Sequence, residues 1–187
     1  KKGIDSDFVF EYYFLFYQPI IKMKLKVIQV NIYKGRYLNS LINFLKSQYA
    51  DVVFMQEVTS GVINLNGDQS NLFEVLKREL VYDGVFYASA TIIDKFNSFQ
   101  GNAVLTRHKI LESKFVPLNR HLGMTLDTFN NHDFFPVFPR SIVDAKIGIH
   151  GREIIALSCH GAWSAPPQDN QENLRQAKLI AMHLKEL

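Results

Sequence analysis

The sequence predicts an α+β layered sandwich, and three observations carry that expectation. The first regularly patterned stretch alternates β-α-β-α, a series of short β-like segments follows Gly84, and an amphipathic helix comes after them. Hydrophobic residues make up 47% of the 187-residue chain and Phe alone numbers 15, enough apolar material for a sizeable core.

Lys24 to Ile32 (KLKVIQVNI) is dense in Val and Ile and reads as the first strand. Asn39 is expected to cap a helix whose apolar face carries Leu41, Ile42, Leu45 and Tyr49. Asp51 to Val58 (DVVFMQEV) is apolar on both faces, as in a sheet covered on both sides. Asn71 with Glu74 three residues on resembles a capping box, and Leu72, Val75, Leu76 and Leu80 form the stripe of a second helix. Beyond Gly84, strands are expected at 85–93, 102–106, 110–118, 141–149 and 153–159. Gly101, His150 and Gly151 are read as turn residues between antiparallel neighbours. The stretch from Asn119 to Pro139 reads as a long loop of the kind that is often functional. After Pro166 and Pro167, Asp169 is expected to cap a last helix, with Leu174, Ala177, Ile180, Ala181 and Leu184 on its apolar face.

Residues 1–22 are set apart as an amino-terminal extension of doubtful structure, and 23–187 as the domain. The chain opens on Lys1 rather than Met, while Met23 directly precedes the first good strand. The aromatic-rich segment from Phe8 to Ile21 is broken by Glu11 and preceded by Asp5 and Asp7, unlike a secretory signal. No stretch approaches ~20 uninterrupted apolar residues, so no membrane span is expected. A net charge of +3 without a dense Lys/Arg tract permits a polyanionic substrate but does not argue for one. The single cysteine, Cys159, excludes an intrachain disulfide and fits a reducing, cytoplasmic setting. Nothing points to an obligate protein partner.

The residues suited to chemistry stand at strand ends. Asn31 closes the first strand and Gln56-Glu57 the second, at the carboxyl edge where open α/β sheets place their sites. A carboxylate with an amide oxygen would offer a hard cation the oxygen ligands that Mg²⁺ prefers. His160 follows an apolar strand and precedes Gly161, where an imidazole can hydrogen-bond a phosphate or pass a proton. Arg140 opens a strand and could fork onto a phosphate, and Asn102 could offer its amide to substrate. Taken singly, each also has an ordinary reading: turn residue, solvated charge, idle loop histidine. The six histidines show no zinc spacing, and Cys159 has no activating neighbour.

Together, and in this order, KVIQVNI (Asn31), DVVFMQEV (Glu57), GNAVLTRHKI from Gly101, Arg140 with its strand, and IIALSCH (His160) resemble the endonuclease/exonuclease/phosphatase superfamily. That superfamily includes DNase I-like nucleases, sphingomyelinases and inositol-phosphate phosphatases. The resemblance spans Lys24 to Leu187 and implies a four-layer α/β/β/α sandwich of the DNase I-like type. It implies a phosphoesterase in which Glu57, with Asn31, sits at a Mg²⁺ (or Mn²⁺) centre and His160 contacts the scissile phosphate. Arg140 matches a phosphate-facing arginine less closely. Substrates would be phosphate esters, nucleic acid or phospholipid head groups among them.

The same resemblance calls for an Asp-x-Asn and a later Asp-His pair that orient the attacking water, and the 187 residues contain neither. The sandwich is therefore expected to be incomplete at its carboxyl end and the chain inactive alone. Two other readings stay open: a catalytically silent binding or scaffold module of the same fold, and an unrelated α+β domain in which Asn31, Glu57 and His160 never meet.

Overall fold

A computed structural model describes residues 9–14, 23–60, 71–94, 98–120, 122–163 and 171–187. In chain order the elements are β1 (Val9–Phe14), β2 (Met23–Asn31), α1 (Leu38–Gln48), β3 (Val52–Ser60), α2 (Leu72–Leu80), β4 (Asp83–Ile92) and β5 (Ser98–Thr106). They continue with β6 (Lys109–Pro117), β7 (Leu122–Met124), α3 (Leu126–Asn130), β8 (Ser141–Ile149), β9 (Arg152–Cys159) and α4 (Gln171–Lys185). One sheet has the order β1-β2-β3-β5-β4-β7 and the other β6-β8-β9. β1, inside the segment set apart as an extension of doubtful structure, runs antiparallel to β2 from Val9↔Ile28 to Phe14↔Met23.

The layers follow from side-chain alternation. Ile28, Val53 and Met55 turn one face of the larger sheet towards α1 and α2, which bury Leu41, Ile42, Leu45, Leu72, Phe73 and Leu76 against it. Leu25, Val52 and Val104 turn the opposite face towards Val143, Ala145, Ile147 and Ile149 of β8. The intervening β8 residues then point outward, where Asp144 accepts a hydrogen bond from His183 of α4 at 2.9 Å. The result is the expected α/β/β/α order. A third cluster joins Ala90, Ile92 and Met124 to Phe129 and Phe138.

Several local expectations hold. The Asn71 side chain accepts the Glu74 backbone N–H and caps α2. His150 and Gly151, with φ of 50° and 74°, turn β8 into β9 as a two-residue hairpin with positive φ at both positions requires. Others are corrected. Asn39 lies inside α1, whose N-cap is Tyr37, and Tyr49 is a left-handed C-cap that stands exposed rather than on the apolar face. The stretch from Asn119 to Pro139 is no bare loop, since it holds β7, α3 and a 3₁₀ segment at His132–Val137. The α4 stripe is rotated: Leu174 and Leu184 are exposed, while Gln176 is buried and donates to Glu172 and accepts from the Ala162 N–H. The expected cap at Asp169 lies outside the described residues.

Gly101 is no turn residue but the middle of β5, where β3 and β4 both shift register against it. A Cβ there would collide with the Tyr87 carbonyl oxygen and the Ala88 Cα. Gly101→Ala is expected to destabilise the fold by about 1–3 kcal/mol, because the neighbour that must move is backbone. An unchanged urea midpoint would contradict that packing.

Candidate functional site

β2 and β3 run parallel, in register from Val27↔Val52 to Asn31↔Gln56, so their carboxyl ends present Asn31 and Glu57 side by side. A bulge completes the placement. Met55 and Val58 both face the helices although three residues apart, which strict alternation forbids unless one extra residue is inserted. Glu57 lies in that insertion with φ of 56°, an uncommon state for a residue with a side chain, of the sort that concentrates at functional sites. Its neighbour Gln56 points between the sheets and donates to Ser158 of β9.

Asn31 is held in one orientation. Its Oδ1 accepts the Tyr33 backbone N–H at 2.9 Å, so its Nδ2 faces Glu57 and donates to Oε1 at 3.0 Å. The other carboxylate oxygen, Glu57 Oε2, is buried and has no hydrogen-bond partner among the described residues. Tyr33, Lys34 and Gly35 follow with three consecutive positive φ values, and this left-handed turn carries Lys34 to the site. The Lys34 ammonium stands 4.0 Å from the Phe129 ring centre. Burial pulls the Lys34 pKa down, and the Glu57 carboxylate works against that shift.

Arg140 and His160 arrive from the second sheet. The Asn119 side chain clamps the approach to β8: its Oδ1 accepts the Arg140 backbone N–H and its Nδ2 donates to the Phe138 carbonyl at 2.7 Å. Burial lowers the Arg140 guanidinium to about 10, opposed chiefly by the Glu57 carboxylate, and at neutral pH it stays protonated. An Arg140 terminal nitrogen lies 3.0 Å from His160 Nδ1. Arginine can only donate, so Nδ1 accepts, and the neutral imidazole carries its proton on Nε2. Burial first, then Arg140, pushes the His160 pKa down to about 4. At pH 7 this histidine is a hydrogen-bond donor rather than a proton source. Burial pushes the adjacent Cys159 thiol up to about 11, which leaves it inert as a nucleophile.

Asn31, Glu57, Arg140 and His160 line one cavity of about 600 Å³, with Lys34 and an aromatic wall completed by Phe135 and Trp163. That volume suits a small-molecule or nucleotide-sized ligand. Asn102 is elsewhere. It is buried between the sheets and its amide donates to the Ser141 carbonyl at 2.8 Å, a structural task that removes it from the substrate-facing set. Lys34, Asn119 and Trp163 belong to the site or its support and escaped the sequence reading. A lysine three residues past a strand end was the one available signal.

Among the described residues no group of three or more His, Cys, Asp or Glu gathers to hold a metal. Mg²⁺ asks for less: it keeps several waters and commonly takes one or two carboxylates. The unpartnered Glu57 oxygen fits such a ligand. Asn31 Oδ1 accepts the Tyr33 N–H and keeps a second lone pair, while its Nδ2 holds Glu57 in place.

The His160 shift has a consequence for stability. The folded value lies below the ordinary 6.5, so the unfolded chain takes up the proton first and acid favours unfolding. Stability should fall by on the order of 3 kcal/mol between about pH 6.5 and 4. His160→Gln should flatten that interval in urea titrations, and an unchanged slope would contradict the burial of a neutral ring.

No protein-family model and no curated protein sequence matches the chain. Solved structures match it. An endonuclease/exonuclease/phosphatase family protein from Leptotrichia buccalis superposes with a TM-score of 0.56 at 21% identity, covering 82% of this chain and 62% of that one. An endonuclease/exonuclease/phosphatase from Beutenbergia cavernae gives a TM-score of 0.64 at 17% identity, covering 87% and 44%. Sphingomyelinase C from Streptomyces griseocarneus gives 0.56 at 17% identity, covering 87% and 59%. The chain therefore has the endonuclease/exonuclease/phosphatase fold, and it spans between 44% and 62% of the length of these structures.

Proposed function

We propose that this chain carries the cation- and phosphate-binding part of a Mg²⁺-dependent phosphoesterase site, with Mn²⁺ as a substitute ion. The observation that supports this most is the convergence of Asn31, Glu57, Arg140 and His160 on one cavity, with a buried Glu57 oxygen left for a ligand. A magnesium ion bound there would supply Lewis-acid stabilisation of negative charge on the phosphate.

The protein groups divide the remaining work. Asn31 fixes the Glu57 carboxylate through its amide. Arg140, charged and buried, offers donors to a phosphate oxygen and sets the His160 tautomer. His160 then donates from Nε2 to the ester, the bond a neutral imidazole can hold across the physiological range. Lys34 adds a second positive charge beside Glu57.

The 187 residues hold neither an Asp-x-Asn nor an Asp-His, the groups expected to orient the attacking water. The chain is accordingly expected to bind inorganic phosphate, weakened by Arg140→Gln, yet to hydrolyse a nitrophenyl phosphodiester with Mg²⁺ no faster than metal alone. Ready Mg²⁺-dependent turnover by these residues would overturn the division of labour. Absence of any phosphate binding would overturn the phosphoester reading itself.

A further inference from the structure

The cations of the cavity outnumber its carboxylates. Among the described residues that line it, Lys34 and Arg140 are the two cations and Glu57 is the one carboxylate. His160 is neutral at pH 7, because burial and Arg140 hold its pKa at about 4. These groups together leave the site with a surplus of one positive charge.

Lys34 is brought there by a costly route. Tyr33, Lys34 and Gly35 take φ of 47°, 55° and 80° in succession, a left-handed stretch that residues with a Cβ resist. A surface lysine ordinarily keeps its ammonium in water. This one is half-buried and set over the Phe129 ring at 4.0 Å, while the Arg140 guanidinium lies 5.8 Å from the Phe138 ring centre. Phe129 and Phe138 pack on each other at 5.9 Å, so neighbouring rings seat the two cations side by side. The Glu57 carboxylate acts on both, resisting the fall that burial imposes on each of their pKa values.

This arrangement treats the two ligands of the phosphoester reading differently. Two like charges held together favour an anion that spans them, and a phosphate has an oxygen for each. A divalent cation meets the opposite field. At the Glu57 oxygen it raises the surplus to three positive charges, in a partly buried site where water and salt screen little. With a phosphate dianion present as well, the surplus returns to one. Arg140 has a second task in setting the His160 tautomer, so the effect of charge alone is best read at Lys34.

We propose that Lys34 makes cation and phosphate binding interdependent: its ammonium disfavours Mg²⁺ at Glu57 until a phosphate spans Lys34 and Arg140. The inference rests on the phosphoester reading above and adds the order in which its two ligands enter. Lys34 is then a phosphate-binding residue that also keeps the cation from loading ahead of the phosphate.

The probes are Mg²⁺ alone, inorganic phosphate alone and the two together, followed by calorimetry with a protein-free titration subtracted. Saturating phosphate should raise the Mg²⁺ affinity of the wild-type chain by roughly tenfold, and Mg²⁺ should raise phosphate affinity by the same factor. Lys34→Met keeps an apolar stem over Phe129 and removes the charge. It should bind phosphate more weakly, yet bind Mg²⁺ alone about fivefold more tightly, so that the mutual enhancement shrinks to about twofold. Lys34→Arg should keep the wild-type pattern. A lysine with a purely structural task would not improve cation binding when it is replaced.

Mg²⁺ affinity that Lys34→Met leaves unchanged or lowers, with phosphate still bound through Arg140, would overturn the inference and leave the phosphoester reading standing. Wild-type Mg²⁺ affinity equal with and without phosphate would do the same. Failure of the wild-type chain to bind either ligand would remove the inference together with the reading beneath it.

Discussion

Asp51→Ala is expected to lower the free energy of unfolding by about 2–4 kcal/mol, the cost of removing a buried carboxylate on which several donors converge. Asp51 is 4% exposed at the start of β3. Its Oδ1 accepts from Arg107 Nε at 3.0 Å and lies 2.9 Å from His108 Nε2, and its Oδ2 accepts the Lys26 N–H at 2.8 Å. The carboxylate thus ties β2 to β3 at one end and both to the segment after β5. Loss of it leaves the Lys26 N–H without this acceptor, while the partly exposed Arg107 guanidinium can turn to water. Asp51→Asn should cost less, because an amide still accepts from one of them.

The same carboxylate has a pH signature distinct from that of His160. Burial pushes its pKa up, but hydrogen bonds from His108, the Lys26 N–H and Arg107 outweigh burial and hold it below the ordinary value. Its stabilising contribution is complete above the unfolded carboxylate pKa and is lost as pH falls through the lower folded one. Acid unfolding should therefore show a His160 phase above about pH 4 and an Asp51 phase below the ordinary carboxylate range. A drop of under ~1 kcal/mol for Asp51→Ala, well short of the expected loss, would show that the clasp is not what aligns the two strands.

Glu57→Gln is expected to reduce Mg²⁺ affinity by at least about a hundredfold while leaving the fold intact. The separation of effects comes from the two carboxylate oxygens. The substituted side chain can present its amide oxygen to the Asn31 Nδ2 in place of Oε1, so the link between β2 and β3 survives. What disappears is the charge and the lone pair of Oε2, the only unpartnered carboxylate oxygen found buried among the described residues. Calorimetric Mg²⁺ titration and thermal melts with and without the ion read the two effects separately. Equal Mg²⁺ stabilisation of wild type and variant would place the cation elsewhere. Lys34 offers an independent check: its pKa is supported by Glu57 against burial, so Lys34 should titrate lower in the variant.

Asn31 and Glu57 were legible because their signal is local. A strand dense in branched residues ends in an amide, the next in a carboxylate, and parallel pairing of consecutive strands brings such ends together without further information. His160 and Arg140 were legible for a weaker version of the same reason, each lying at the end of a patterned strand. The Asn71 cap and the His150-Gly151 turn are equally local, and they stand where the sequence puts them.

The rest depended on distance in space. Asn102 reads like a site residue, yet the close packing of the two sheets commits its amide to Ser141, 39 positions away. The α4 stripe misled because the helix docks through His183 on Asp144 and through Gln176, so polar pairing rather than apolar periodicity sets its rotation. Lys34 enters the site only because three left-handed residues redirect the chain, and Trp163 only because Phe135 and Phe138 hold it there. Sequence alone determined the strongly patterned elements, their order and the strand-end groups, though not β1, β7 or α3, since hydrogen-bonding periodicity and capping act over a few residues. Tertiary structure decided which of those groups face one another, which of their oxygens stays unsatisfied and which protonation state His160 holds, because burial and Coulomb interactions act between residues that the chain keeps far apart.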